Sequence, residues 1–167
     1  MIVTIWRHGA AGQASTDRER GLTARGYDDI GFGSRQFESA LGARGIAAPE
    51  LILHSPWLRT TQTAGIIASA FMQADCRELP ALRPDSSVAS VDSALIILLE
   101  SAAPLEHVLL ISHQPLVSQL IEHYLGERGR VPPLSPGASA TLCLEAAASG
   151  CGTLLFWSMP PEFEAGM

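Results

Sequence analysis

The sequence predicts an α/β fold, a three-layer sandwich with a mostly parallel central sheet. Apolar runs of strand length alternate along the chain with longer segments whose apolar residues recur at helical spacing. The run Glu-His-Val-Leu-Leu-Ile at 106–111 is continuously apolar after its second residue, which is typical of a strand buried on both faces of a parallel sheet. With 167 residues, 47% of them hydrophobic, the chain can form one substantial core, so we expect a single domain over 1–167.

The first half of the chain opens with a β-branched strand over 2–6, which runs directly into Arg7-His8-Gly9. Thr23 offers an N-cap for a helix over 24–43. The other elements predicted in this half are a strand over 49–54, a helix over 58–72 and a short strand near 77–79.

The second half continues the alternation and closes with a hairpin. The segment 80–87 contains two prolines and is predicted to be a loop, and the helix over 88–102 is apolar enough to be mostly buried. A strand over 106–111 is followed by Pro115, which suits the first turn of a helix that runs to about Leu125. The remaining predictions are a loop over 128–137 and two hairpin strands, 138–144 and 153–157, joined across 148–152.

The charged residues exclude several functions. Seventeen acidic residues against 11 basic ones give a net charge of −6, and every basic residue is an arginine. Because a net acidic chain repels the phosphate backbone, we expect no nucleic-acid partner. The absence of lysine excludes Schiff-base chemistry, a phosphate-loop lysine and a pyridoxal anchor. No cofactor is expected.

The cysteines and the apolar runs bear on location. The 3 cysteines form no Cys-x-x-Cys pair, which fits a reducing compartment. No uncharged apolar run approaches the roughly 18 residues of a membrane-spanning helix, and the N-terminus lacks the basic region of a signal peptide. We therefore expect a soluble cytoplasmic protein with no membrane partner.

Arginines and histidines follow three of the predicted strands. Arg7 and His8 follow the first strand, Arg59 comes soon after the second, and His113 follows the strand over 106–111. Ligands of open α/β sheets bind at the carboxyl ends of the strands, so we expect these four side chains to converge. Arginine forks match phosphate oxygens, and a neutral imidazole nitrogen can attack phosphorus. The pattern predicts phosphoryl transfer through a phosphohistidine.

The other three histidines carry less information. His54 ends a strand and is interpreted as packing rather than as a wall of the site. His107 begins a strand, away from the predicted site, and His123 lies on a helix, so both are interpreted as structural or exposed. The 5 histidines show no His-x-His or His-Glu-x-x-His spacing, and arginines beside the site would repel a cation. No metal is expected.

An ordered set of motifs resembles the histidine phosphatase superfamily, also called phosphoglycerate-mutase-like. The set comprises Arg7-His8-Gly9, Leu22-Thr23-Ala24-Arg25-Gly26, the block from His54 to Ala64 that contains Ser55-Pro56-Trp57-Leu58-Arg59, and Ser112-His113. The small size, the Ser-His-x-Pro-Leu-Val form at 112–117 and the ending at 152–160 are most similar to the bacterial phosphohistidine phosphatases of that superfamily. The resemblance covers nearly the whole chain.

The resemblance implies a role for each matched residue. His8 is the nucleophile, Arg7 and Arg59 hold the phosphoryl oxygens, and His113 hydrogen-bonds the phosphate as charge develops. Arg20, just before Gly-Leu-Thr, resembles an arginine of the phosphohistidine phosphatases and is expected to bind phosphate or to gate it. From its position at a helix N-terminus, the backbone amide of Gln114 is a further expected phosphate donor.

One departure from the superfamily bears on the substrate. Many members carry an acidic proton donor after the second histidine or in the loop that corresponds to 80–87, whereas here His113 is followed by Gln114 and that loop offers only Asp85. An alkoxide leaving group needs a strong general acid, while imidazole protonates near pH ~6.5 without one. The sequence therefore favours a phosphohistidine substrate, presented by a histidine-containing phosphotransfer protein of a signalling system.

Two alternatives remain open. One is a small-molecule phosphomonoesterase of the same superfamily with Asp85 as proton donor. The other is a non-catalytic module that binds phosphate or a phosphopeptide, against which the intact pair His8 and His113 argues.

Overall fold

A computed structural model describes residues 1–101, 104–164 and 166 of the chain. In that part, six strands form one sheet: β1 (Ile2–Arg7), β2 (Leu51–His54), β3 (Asp75–Glu78), β4 (His107–Ser112), β5 (Ser139–Leu144) and β6 (Gly152–Ser158). The strand order is β3-β2-β4-β1-β5-β6. The pairs among β3, β2, β4 and β1 are parallel, and β5 pairs antiparallel with β1 and β6. The predicted mostly parallel sheet with a closing hairpin is confirmed.

The helices lie on both faces of the sheet, which confirms the three-layer sandwich. The described helices are α1 (Ala24–Arg44), α2 (Leu58–Ala70), α3 (Val88–Ser101) and α4 (Leu116–Leu125). Successive side chains of β1 point to opposite faces. Val3 and Ile5 pack in a core with α3 and α4, while Trp6 packs in a second core with α1 and α2. Within the described ranges, none of the helices combines the length and apolar character needed to cross a bilayer.

The prediction that the third helix is mostly buried is wrong. Only Val91 and Leu95 of α3 are buried within residues 88–100, and Ile97 is 67% exposed. These two residues are four positions apart and therefore lie on one face of the helix, which is the face that α3 turns to the core. Its composition is apolar on average, but only this face packs against the core, so the opposite side of the helix stays exposed.

Several predicted boundaries shift by a few residues. The second strand begins at Leu51 rather than at 49, and β3 occupies Asp75–Glu78 rather than 77–79. The predicted loop over 80–87 contains a 3-10 turn, Pro80–Leu82, and a second such turn, Asp17–Glu19, was not predicted. The last residue of the predicted helix over 88–102 lies outside the described residues. Helix and strand ends vary in this way because end residues keep only part of the hydrogen-bond ladder.

Candidate active site

The parallel strands β2, β4 and β1 are neighbours, so their carboxyl ends meet at one edge of the sheet. In the register of β1 with β4, Arg7 lies opposite Ser112, which places His8 and His113 side by side after the two strands. Their ring centroids are 5.0 Å apart. The backbone N–H of His8 donates to the carbonyl oxygen of Ser112 at 3.1 Å and holds the two loops together.

The N-terminus of α1 supports the loop that carries His8. Thr23 caps the helix by accepting from the backbone N–H of Gly26 at 3.0 Å. A Cβ at Gly26 would collide with the carbonyl oxygen of Ala10, and a Cβ at Gly9 would lie 2.9 Å from Cγ1 of Ile30. The helix and the loop therefore approach so closely that both positions require glycine.

The hydrogen bonds of His8 show which ring nitrogen carries the proton. Nδ1 lies 2.8 Å from the carbonyl oxygen of Gly9, so it carries the proton and donates. Nε2 lies 3.2 Å from Nε of Arg59, which donates to the ring lone pair. Burial, together with the charges of Arg59 and Arg7, lowers the pKa of His8 to about 4. At neutral pH the ring is uncharged, and its unprotonated Nε2 faces the site.

Beside His8, His113 and Arg7 each carry one buried nitrogen without a partner in the described part of the chain. Nε2 of His113 is 2.9 Å from Oγ of Ser55, and Nη1 of Arg7 donates to the carbonyl oxygen of Leu134 at 2.8 Å. Nδ1 of His113 and Nε of Arg7 are buried and, among the described residues, have no hydrogen-bond partner. Burial, followed by the positive charges nearby, lowers the pKa of His113 to about 3. Buried unpaired polar atoms are costly, so these two nitrogens are available to a partner that the described residues do not supply.

Arg59 enters the site from the first turn of α2. The short connection Ser55-Pro56-Trp57 brings the helix back over the sheet edge, and Arg59 is only 5% exposed. Its guanidinium carbon lies 4.7 Å from the ring centroid of Trp57, whose ring also stands edge-on to His113 at 5.2 Å. Trp57 and Ser55 fall within the motif block, yet sequence reasoning assigned them no role, because both contact His113, which is distant along the chain.

Arg20 reaches the site through a residue that sequence analysis missed. Nη1 of Arg20 forms a 2.8 Å ion pair with Oδ1 of Asp17, and Oδ2 of Asp17 lies 3.2 Å from Nη2 of Arg59. The hydrogen bond from Arg20 and the nearby charge of Arg59 lower the pKa of Asp17. The available signal was an acidic residue three positions before Arg20, the spacing at which side chains meet across one helical turn.

Gln114 lies directly before Pro115, the N-cap residue of α4. Its side-chain amide donates to Oγ of Ser118 at 2.9 Å and to the carbonyl oxygen of Leu134 at 3.2 Å. Since Arg7 donates to the same carbonyl, Gln114 and Arg7 are tied to one point of the loop before β5.

The remaining titratable residues singled out in the sequence lie outside this cluster of contacts. His54 is buried and donates to the carbonyl oxygen of Ser55, and His107 is buried at the start of β4. His123, on α4, lies 2.9 Å from Asp92 of α3. The carboxylate of Asp85 is 73% exposed and pairs with Arg83 at 3.7 Å. In the described ranges, no group of three or more His, Cys, Asp or Glu side chains is arranged to hold a metal ion.

Solved structures resemble the chain over nearly its whole length. The protein histidine phosphatase SixA, solved with tungstate, has 32% sequence identity and a TM-score of 0.79, over 96% of this chain and 97% of its own. The Agrobacterium tumefaciens chain that carries the name SixA has 22% identity and a TM-score of 0.74, over 95% and 97%. The mycobacterial glucosyl-3-phosphoglycerate phosphatase, solved with VO3, has 15% identity and a TM-score of 0.70, over 95% and 99%.

No protein-family model matches the chain. No curated protein matches it either. The structural likeness includes a phosphoglycerate mutase from Plasmodium falciparum, at a TM-score of 0.64, so the fold is phosphoglycerate mutase-like, as the motifs predict.

Proposed function

We propose that the chain removes phosphate from a phosphohistidine of a signalling phosphotransfer protein. The chain belongs to the histidine phosphatase superfamily and is a phosphatase. One observation carries the proposal: the unprotonated Nε2 of His8 lies beside Arg59, the His113 ring stands 5.0 Å away, and His113 and Arg7 each carry a buried nitrogen without a partner in the described residues. Such a site accepts a phosphoryl group and places a nucleophile beside it.

The reaction runs in two displacements. In the first, the Nε–H of Arg59 donates to an oxygen of the entering phosphoryl group and thereby frees the lone pair of His8 Nε2. Nε2 then bonds to phosphorus as the P–N bond of the substrate breaks, and the departing imidazole nitrogen takes a proton from solvent. In the second, the oxygen of a water molecule bonds to phosphorus as the bond from phosphorus to Nε2 breaks. The protons of the water leave with inorganic phosphate, and His8 returns to its neutral form. Arg7 and Arg59 hold the phosphoryl oxygens, and Nδ1–H of His113 donates to the charge that develops. The backbone amide of Gln114 is a further donor.

The carboxylates near the site support a nitrogen leaving group. Asp17 touches Arg59, but two arginines hold its pKa below the usual range, so it stays ionised. Asp85 is largely exposed and paired with Arg83. A phosphate ester needs a strong acid to protonate its leaving oxygen, whereas imidazole accepts a proton near pH ~6.5.

The short connections at the sheet edge support a macromolecular substrate. Residues 55–57 join β2 to α2, and residues 113–115 join β4 to α4, so neither of these connections carries an insertion over the site. A histidine on the surface of another protein could therefore reach His8. The relative with 32% identity is a protein histidine phosphatase, which supports the same substrate class, and a signalling partner of this kind would place the chain in the cytoplasm.

The test compares two substrate classes on the purified chain. A panel of phosphorylated histidine-containing phosphotransfer domains is assayed against an alkyl phosphate ester, with His8→Ala as the inactive control. We expect kcat/KM at least about tenfold higher on one or more phosphohistidine domains, a difference of about 1.4 kcal/mol in transition-state stabilisation. Faster turnover of the ester than of every phosphorylated domain would contradict the proposal.

A further inference from the structure

Asp17 is half exposed, yet three of its oxygen atoms contact arginines of the site. Its backbone carbonyl oxygen accepts from Nη1 of Arg59 at 2.6 Å, and Oδ2 accepts from Nη2 of the same guanidinium at 3.2 Å. Oδ1 accepts from Nη1 of Arg20 at 2.8 Å. The residue begins the 3-10 turn Asp17–Glu19, so its backbone and its side chain present these oxygens on the same side.

These contacts determine where the third nitrogen of Arg59 points. A guanidinium is planar and rigid, so a partner that holds both Nη atoms also sets the direction of Nε. In this protein Nε of Arg59 points at Nε2 of His8, 3.2 Å away. Asp17 therefore holds the two Nη atoms of Arg59, while Nε of the same guanidinium contacts the nucleophile.

Arg20 anchors Asp17 to the loop that follows β1. Nε of Arg20 donates to the carbonyl oxygen of Gly12 at 2.7 Å, and Nη2 lies 3.5 Å from that of Ala11. That loop is itself tied back to the start of α1 by a bridge between Ala11 and Leu22. Since each nitrogen of Arg20 contacts a protein oxygen, the side chain is oriented toward Asp17 and the loop.

We propose that Asp17 is a positioning residue, which links the anchored Arg20 to Arg59 and holds the guanidinium of Arg59 beside Nε2 of His8, where it meets the oxygens of the phosphoryl group. The inference rests on the proposed role of His8. It gives Arg20 a function that acts through Asp17, and it makes the ionised carboxylate a fixed part of the site rather than a proton donor.

The first test is a double-mutant cycle. Asp17→Asn and Asp17→Ala should each lower kcat/KM about tenfold on both substrate classes, because each removes a charge-assisted contact to Arg59. In an Arg59→Ala background, Asp17→Ala should add less than about a twofold loss, since the group it positions is gone. The matched control is Asp75→Asn, another exposed aspartate paired with an arginine, Arg77, which should leave turnover unchanged.

The second test needs no turnover. The Nε–H proton of Arg59 is followed by NMR, and its exchange with water should accelerate about tenfold in Asp17→Ala and stay unchanged in Asp75→Asn. If the carboxylate only stabilised the fold, its removal would not accelerate the exchange of this proton selectively.

Several results would overturn the proposal. These are additive losses in the double variant, unchanged exchange of the Arg59 proton, or unchanged kcat/KM in Asp17→Asn. An increased kcat/KM would instead make Asp17 a competitor of the phosphoryl group for Arg59. A loss confined to the ester would make it a general acid. If the substrate class proposed above fails, the ester still reports the Arg59 effects. If the proposal for Asp17 fails, the ratio of kcat/KM between the two substrate classes in the wild type still tests the proposed function.

Discussion

At the scale of single residues, the chemistry depends on how two histidines are kept neutral and oriented. His8 donates from Nδ1 to the carbonyl oxygen of Gly9, the next residue along the chain. His113 depends on Ser55, which lies 58 positions away along the chain. The first orientation is local, whereas the second exists only after β2 and β4 have paired.

We expect His8→Ala to reduce kcat to below about one percent of the wild-type value, because the variant lacks the nitrogen that accepts the phosphoryl group. Incubation of the wild type with a labelled phosphodonor should yield an acid-labile phosphoenzyme that His8→Ala does not form. Residual turnover above one percent would remove His8 from this role. Absence of any phosphoenzyme in the wild type, together with absence of turnover, would favour a non-catalytic phosphate-binding module.

Arg59→Ala should lower kcat/KM about a hundredfold, a loss on the order of 3 kcal/mol, since it removes a buried charge-assisted donor from the transferring phosphoryl group. Arg59→Lys should recover little of this loss, because an ammonium lacks the planar guanidinium that contacts Asp17 and His8 at the same time. The control is Arg77→Ala, an exposed arginine on β3. A loss below about threefold would place Arg59 outside the reacting centre.

Asp85→Asn separates the two substrate classes. We expect kcat/KM on phosphohistidine to change by less than about twofold, since the imidazole leaving group needs no carboxylic acid. If Asp85 serves the ester reaction, only the ester rate falls. A loss of about tenfold or more on phosphohistidine would mean that the leaving group does need a carboxylic acid, and the link from the missing donor to the substrate class would fail.

At the scale of secondary-structure elements, the contact between α1 and the loop after β1 is the tightest constraint near the site. The motif Leu-Thr-x-x-Gly combines an N-cap with a glycine that lets the helix touch the backbone of Ala10. Sequence reasoning found the cap and the helix. The requirement for glycine at position 26 becomes visible only in the folded structure, because it depends on Ala10, which precedes the helix.

Two glycines of α1 should therefore respond to alanine in opposite ways. Gly42→Ala should raise the free energy of unfolding by about 0.5–1 kcal/mol, because nothing lies within 4 Å of the added Cβ and alanine is the better helix former. Gly26→Ala should lower it by about 2 kcal/mol, because the added Cβ meets the carbonyl oxygen of Ala10. Urea denaturation midpoints measure both, and equal shifts in the two variants would contradict this packing argument.

At the scale of the whole molecule, the fold keeps two ionisable rings buried among arginines. Burial lowers the pKa of His8 to about 4 and that of His113 to about 3, below the ordinary value of 6.5. At pH values between the lowered pKa values and 6.5, the two histidines bind protons in the unfolded chain but not in the folded chain. Protonation therefore favours unfolding as the pH falls.

We expect the free energy of unfolding to decrease between pH 7 and pH 5, by on the order of 2 kcal/mol for each of the two histidines. Above pH 6.5 both states carry neutral rings, so the contribution to the pH dependence vanishes there. Denaturation of the double variant His8→Asn, His113→Asn over the same range should show a flatter slope. An equal slope in wild type and variant would show that other groups cause the pH dependence.

The sequence by itself determined the order and type of the main elements and the identity of the four side chains that meet at the sheet edge. It could do so because strand ends, caps and glycines are local signals, and because the carboxyl ends of parallel strands share one edge. That residues 1–167 form a single domain stays a prediction.

Only the tertiary structure decided the sheet order, the exposure of α3 and the link from Arg20 through Asp17 to Arg59. Asp17 and Arg59 are 42 positions apart, and no local pattern marks them as partners. An aspartate in a polar loop looks the same in sequence whether it faces solvent or an arginine. The difference arises when the folded sheet brings α2 against the loop after β1, because only then do the two arginines lie on either side of the carboxylate.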